Sequence, residues 1–113
     1  MDAGKYNIVA RQGATFSLSF TISTDGAPWD LSSYTARMQV RPFASSATKY
    51  LDLVSPNNIT LTALGVCTIT VSASDMSDIP AASHVYDIEF ESAGGVVYPI
   101  LEGKFVVRQE VTV

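Results

Sequence analysis

The sequence predicts an all-β fold, a single antiparallel sandwich spanning residues 1–113. Three observations predict it. The run from Phe16 to Ser23 alternates without a break: Phe16, Leu18, Phe20 and Ile22 share one parity, Ser17, Ser19, Thr21 and Ser23 the other. Side chains on a strand alternate faces, so this is one apolar face and one hydroxyl face. Asp25-Gly26 then supplies the positive φ of a tight hairpin. Finally, turn signals recur about every 8 to 12 residues, and no window holds a helix of useful length.

Taken in order, Tyr6 to Ala10 reads as a short first strand, and Gln12-Gly13 breaks it before a long strand from Ala14 to Thr24. A strand from Tyr34 to Arg41 sets Tyr34, Ala36, Met38 and Val40 inward and Thr35, Arg37, Gln39 and Arg41 outward, and stops at Pro42. Phe43 to Thr48 is a small-residue loop, the segment expected to move most. Tyr50 to Val54 is a brief strand, and Ser55-Pro56-Asn57-Asn58 a turn. Ile59 to Thr62 and Val66 to Ser72 form a hairpin around Ala63-Leu64-Gly65, with Ile59 and Leu61 facing Cys67, Ile69 and Val71.

Between Ala73 and Ala82 there is room only for one helical turn. His84 to Glu91 is a strong strand, with Tyr86, Ile88 and Phe90 inward and Asp87, Glu89 and Glu91 outward. After the Ser92-Ala93-Gly94-Gly95 loop, Val96 to Leu101 returns, with Pro99 marking an edge or a bulge. Gly103 reads as a break before Lys104 to Val113, whose closing Val-Thr-Val favours a strand. The sum is seven to nine short strands, the pattern of an immunoglobulin-like β-sandwich without its paired cysteines.

Length and charge narrow the function. A chain of 113 residues is one domain, large enough to hold a core without staples. The net charge is −4, and the seven Lys and Arg are scattered singly, which argues against nucleic acid and against an anionic membrane surface. No apolar run approaches the roughly 20 residues of a membrane helix. The Met-Asp-Ala-Gly-Lys start carries no secretory h-region, so synthesis in a cytosol is expected. Cys67 has no partner for a disulfide and shares parity with Ile69 and Val71, which makes it a small buried hydrophobe.

The inventory of chemistry is short. His84 is the one histidine, so any nucleophile–base arrangement must use it, and at the head of a strand among polar neighbours it reads as solvated or capping. One Cys and one His do not make a zinc site. Asp75 and Asp78 read as turn caps rather than calcium ligands. Asp30 reads as the cap of a turn over Leu31-Ser32-Ser33. No catalytic residue, metal site or cofactor is expected, and the protein is not expected to be an enzyme.

Contact surfaces are the alternative. Trp29, beside Pro28, has two readings: it covers the end of the core, the preferred one, or it is an aromatic contact. Arg37 and Arg41 line one outward face, and Asp87, Glu89 and Glu91 another. If those strands are neighbours the charges pair locally, which we prefer; on opposite sheets they would give a basic and an acidic side suited to ring assembly. Pro28, Trp29, Arg37, Arg41, Asp87, Glu89 and Glu91 are the candidate interface residues.

A family resemblance follows from several runs: Gln12-Gly13-Ala14-Thr15-Phe16, Asp25-Gly26, Asp30-Leu31, Tyr34 through Arg41, Tyr86-Asp87-Ile88-Glu89, Leu101 through Val107, and Glu110-Val111-Thr112. Together they resemble small bacteriophage virion proteins. More distantly they are similar to the immunoglobulin-like N-terminal domain of phage baseplate upper proteins, which attaches receptor-binding parts to the tail. Those longer proteins continue into a coiled coil or fibre where this sequence stops. The resemblance implies a structural component of a phage particle, made in the bacterial host cytoplasm and residing in the virion in multiple copies. Its partners would be other virion proteins: tail or baseplate, fibre, or major capsid protein. A tail or baseplate adaptor is the leading expectation, a capsid decoration (cement) protein the runner-up. A carbohydrate-binding sandwich, built on Tyr6, Tyr34, Tyr50, Tyr86 and Tyr98, is the more distant alternative.

Overall fold

A computed structural model describes residues 3–111. Its elements are β1 (Gly4–Lys5), β2 (Ile8–Arg11), β3 (Phe16–Thr21), β4 (Ser23–Thr24), β5 (Ala27–Pro28), β6 (Thr35–Arg41), β7 (Leu51–Val54), β8 (Ile59–Leu61), β9 (Val66–Val71), α1 (Ala73–Ser77), β10 (Ser83–Glu91) and β11 (Val97–Arg108). The larger sheet runs β1-β11-β10-β6-β7, with β2 also on β11; the smaller is β3-β9-β8. β1 and β2 lie parallel to β11, and every other pairing is antiparallel. The fold is thus the expected all-β sandwich.

Alternation decides what fills the space between the sheets. From the larger sheet come Met38, Val40, Ile88, Phe90 and Phe105, from the smaller Ile59, Cys67, Ile69 and Val71, all fully buried. Each such side chain contributes roughly 1.5–3 kcal/mol by leaving water. Phe16 on β3 meets Phe105 on β11 edge to face, with ring centroids 5.4 Å apart, tying the sheets together. Asp25 and Gly26 both have positive φ, 52° and 79°, as a two-residue hairpin between β4 and β5 requires. In α1, the Ser72 hydroxyl accepts the Asp75 N–H at 3.2 Å, and the short helix delivers Met76 to the core.

Several expectations need correction. The long strand over Ala14–Thr24 is two strands, because Ile22 ends one ladder and begins another: its N–H donates to Gly65 and its carbonyl accepts from Trp29. The first strand, expected over Tyr6 to Ala10, is β2 from Ile8 to Arg11; a separate two-residue β1 precedes it, and Tyr6-Asn7 belongs to neither. His84 is neither solvated nor a cap. It is 4% exposed, its ring lies tilted against Tyr50 with centroids 4.7 Å apart, and one ring nitrogen lies 2.8 Å from the Pro80 carbonyl. It shares parity with Tyr86, Ile88 and Phe90, and that parity prevails over its polar neighbours in sequence.

Gly103 does not interrupt anything. β11 runs through it for 12 residues, and Gly103 stands opposite Tyr86. A Cβ here would come 2.3 Å from the Tyr6 carbonyl oxygen, so the missing side chain is what lets the N-terminal segment lie close against β11 between β1 and β2. Over that glycine the Tyr86 hydroxyl donates to the Tyr6 carbonyl. The Tyr6 N–H donates to Glu102 at 3.0 Å, and the Asn7 side chain accepts the Lys104 N–H at 3.1 Å. Pro99 does sit at a bulge, where the β10–β11 register shifts between Ile88 and Glu89. Strand structure ends at Arg108; the expected extension over 109–111 is absent, and residues 112 and 113 lie outside those described.

Candidate interface

The outward face of the larger sheet is laid out by register. One row crosses five strands: Lys5 on β1, Glu102 on β11, Asp87 on β10, Gln39 on β6 and Asp52 on β7. The next row sets Glu89 beside Arg37, and the one on the other side sets Lys104, Val85 and Arg41 in line. Carboxylates therefore occupy the middle of the face and cations surround them. The local alternative is the observed one, and the two-sided arrangement with a basic and an acidic sheet is not.

Geometry gives each charge a distinct situation. Arg37 Nε donates to Glu89 Oε1 at 3.1 Å, an exposed pair contributing about 0.2–1 kcal/mol. Arg41 is half-buried and works inward. Its guanidinium donates to the Ser46 carbonyl at 2.9 Å and to Gln39 Oε1 at 2.6 Å. The segment from Phe43 to Thr48, expected to be the most mobile, is held at Ser46 by the first of these bonds. It is also held by the Ser46 N–H to Phe43 and the Thr48 N–H to the Ser46 hydroxyl, both at 3.0 Å.

At the flanks of the row, Lys5 pairs with Glu102 at 3.0 Å and Lys49 with Asp52 at 3.7 Å. Asp87 has its carboxyl raised above the ordinary range, first by loss of solvent and then by Glu89, with Glu102 adding and Arg41 opposing. Its folded-state pKa exceeds the unfolded one, so its contribution to stability is complete below the unfolded pKa and declines as pH rises through the folded value. Glu91 is exposed opposite Thr35 and has no ion-pair partner among the described residues.

Besides a polar hollow of about 320 Å³ over Arg37, Gln39, Arg41, Asp87 and Glu89, two shallow grooves lie on this face. One of about 480 Å³ runs between Lys5, Gln39, Arg41, Asp87 and Lys104, and one of about 260 Å³ between Thr35, Arg37, Val54, Glu91 and Val97. Neither encloses a ligand-sized apolar chamber of the kind small-molecule sites favour.

The Pro28–Trp29 corner is elsewhere. Trp29 is half-buried and edge-to-face with Tyr34 at 5.3 Å, Tyr98 at 5.4 Å and Phe90 at 6.3 Å. Those three rings belong to the inward side of the larger sheet, so Trp29 closes the end of the core while Arg37 and Glu89 lie on the sheet's other side. Pro28 is exposed on β5. Asp30 accepts the Ser32 N–H at 3.0 Å; hydrogen bonding from the Ser32 side chain first, and from that N–H second, lowers its pKa. Burial pushes the Cys67 thiol up to about 12.

The structure therefore brings together Arg37, Arg41, Asp87, Glu89 and Glu91, and leaves Pro28 and Trp29 apart from them. Reading the sequence set Gln39 outward with Arg37 and Arg41 without counting it an interface residue, and missed Lys5, Asp52, Glu102 and Lys104 as members of the same face. For Gln39 the parity of its neighbours Arg37 and Arg41 was the available signal. For Glu102 and Lys104 it was hidden by taking Gly103 as a break. Among the tyrosines only Tyr6 is exposed; Tyr34, Tyr50 and Tyr98 are half-buried and Tyr86 is buried.

No protein-family model matches the chain, and no curated protein matches it. Among solved structures the chain is similar to the N-terminal domain of phage TP901-1 ORF48. The TM-score is 0.55 at 13% identity, covering 89% of this chain and 83% of that one. At this identity the likeness is one of fold.

Proposed function

We propose that this chain is a non-enzymatic structural component of a bacteriophage particle, and within it a tail- or baseplate-associated adaptor that docks on neighbouring virion proteins. The observation that carries the reading is the sandwich it shares, over nearly its whole length, with the N-terminal domain of a phage protein. The runs that resemble phage virion proteins point the same way. A sheet face that sets both signs of charge side by side suits a protein contact, where such charges set register more than affinity. A sugar platform needs a row of exposed rings, and four of the five tyrosines are withdrawn from solvent.

The test is mass spectrometry of purified particles with localisation in a cryo-EM map. Fixed stoichiometry and density in the tail support the proposal. Density on the head shell would replace the adaptor with a decoration role, and absence from purified particles refutes both. Docking through the charged face is separable by the double swap Arg37→Glu with Glu89→Lys. The swap preserves the local ion pair and inverts the pattern a neighbour would meet. Incorporation is expected to fall while the melting temperature holds; unchanged incorporation would remove this face from the interface.

A further inference from the structure

Sheet edges expose unpaired backbone groups, and proteins ordinarily guard them with charge, proline, bulges or brevity. Most edges here are guarded. β7 contains Asp52 and follows Lys49, β8 is three residues long, and the β1–β2 edge is interrupted at Tyr6-Asn7 and carries Lys5 and Arg11. β3 has none of these devices. Phe16-Ser17-Leu18-Ser19-Phe20-Thr21 has no charge and no proline, and its register with β9 is continuous.

The free side of β3 can be read from one bond. The Ile22 N–H donates to the Gly65 carbonyl at 2.8 Å, one step beyond the Thr21–Val66 pair. Antiparallel neighbours alternate between bonded and non-bonded pairs, so Phe16, Leu18 and Phe20 direct their backbone groups to β9. Ser17, Ser19 and Thr21 direct theirs to the open edge. Close approach of the Ser19 and Thr68 hydroxyls, at 3.2 Å, fits the non-bonded pair that this alternation requires. Behind the edge, Leu18, Phe20 and Ile22 pack on the core but remain only half-buried. Apolar surface is left where one more strand would lie.

We infer that β3 pairs with β3 of a second copy, antiparallel about a two-fold axis through Ser19. The edge is complementary to itself. Centred on Ser19, the pairing sets Leu18 against Phe20 and Ser17 against Thr21, so apolar meets apolar and hydroxyl meets hydroxyl. Ser17, Ser19 and Thr21 then exchange roughly six N–H···O=C bonds. An isologous contact also sets each charge near its own image. β3, β8 and β9 contain no charged residue, so nothing on this sheet repels its copy. Serine and threonine lose little rotamer entropy when ordered, unlike lysine or arginine. One strand pair falls below the roughly 1,200 Å² of stable complexes, so the dimer dissociates in the micromolar-to-millimolar range and gains from multivalent display. The inference rests on the edge alone: failure here leaves particle incorporation untouched, and absence from particles leaves the pairing untouched.

Single-cysteine variants of the full chain test it under mild oxidation, since Cys67 is buried and does not compete. Directly opposed residues of a bonded pair have Cα atoms about 5.5 Å apart, within disulfide reach. Ser19→Cys should cross-link to itself at least about tenfold faster than Ser17→Cys, whose two copies would stand roughly 13 Å apart along the strand. A mixture of Ser17→Cys with Thr21→Cys should cross-link where each alone does not. In sedimentation velocity the unmodified chain should dimerise with concentration; Ser19→Pro, which removes the edge N–H and the Ser19–Thr68 hydroxyl contact, should stay monomeric, whereas Ser19→Ala, which loses that contact alone, should dimerise like the wild type. Equal cross-linking at positions 17 and 19, or a wild-type chain monomeric at about millimolar concentration, overturns the inference.

Discussion

Replacing Gly103 by alanine is the sharpest test of how the N-terminal segment is held. The new methyl would lie 2.3 Å from the Tyr6 carbonyl oxygen, 2.9 Å from its carbon and 3.0 Å from Asn7 Oδ1. The first two are backbone atoms and cannot rotate away, so the segment must lift. Lifting it breaks three hydrogen bonds: Tyr6 N–H to Glu102, Lys104 N–H to Asn7, and Tyr86 hydroxyl to Tyr6. At about 1 kcal/mol each, with a further 1–2 kcal/mol for leaving the buried Tyr86 hydroxyl unpaired, the loss is about 4–5 kcal/mol. With an m-value of about 2 kcal/mol per molar urea, the midpoint should fall by roughly 2 M. Domains of this size hold about 5–15 kcal/mol, so the variant should still fold in buffer. Gly94→Ala is the internal control, because the nearest atom to its methyl is 3.9 Å away. It should change stability by less than about 0.5 kcal/mol. A Gly103→Ala variant within about 1 kcal/mol of wild type, with the Lys104 amide still protected from hydrogen exchange, would refute the close packing of Tyr6 on Gly103.

Other consequences follow from the same packing. Tyr86 has its phenol pKa raised to about 12, by burial and then by Tyr6, so the folded state holds that proton more tightly than the unfolded chain. Stability from Tyr86 is therefore complete below about pH 10 and should be lost as pH rises towards 12. Tyr86→Phe should cost about 1–2 kcal/mol at neutral pH and flatten that alkaline loss in urea titrations; an unchanged alkaline slope would contradict the assignment. Trp29→Ala removes three edge-to-face contacts and should lower stability by about 2–4 kcal/mol by thermal melting, while a neutral effect would return Trp29 to a surface role. Cys67 should resist alkylation at neutral pH until urea unfolds the chain, and rapid labelling of the folded protein would contradict its burial.

What could be read from the chain was what two-residue periodicity carries. β6 and β10 follow from alternation nearly to the residue, and the Asp25-Gly26 hairpin follows from its turn chemistry. The failures share one cause, dependence on partners far away in sequence. Gly103 looks like a breaker in any local window, since Tyr6, the reason for it, lies 97 residues earlier. His84 shares parity with inward residues while its neighbours in sequence are polar, and only the fold brings Tyr50 and the Pro80 carbonyl against it. In the charged face, parity told which side chains point outward but not that Arg37 would stand beside Glu89. That requires knowing β6 and β10 are adjacent. The hairpin corner at Trp29 was legible as aromatic and ambiguous in role, because only the folded rings of Tyr34, Phe90 and Tyr98 show which way it turns.

The parallel seam of β1 and β2 along β11 has a mechanical consequence. Tension applied at Gly4 and at Arg108 pulls two side-by-side parallel strands in opposite directions along their length. Such loading shears the seam, so its bonds share the force instead of parting one after another from an end. The rate of forced opening then depends on the seam as a whole. The Tyr86 hydroxyl, reaching over Gly103 to the Tyr6 carbonyl, is a rivet set across the line of pull.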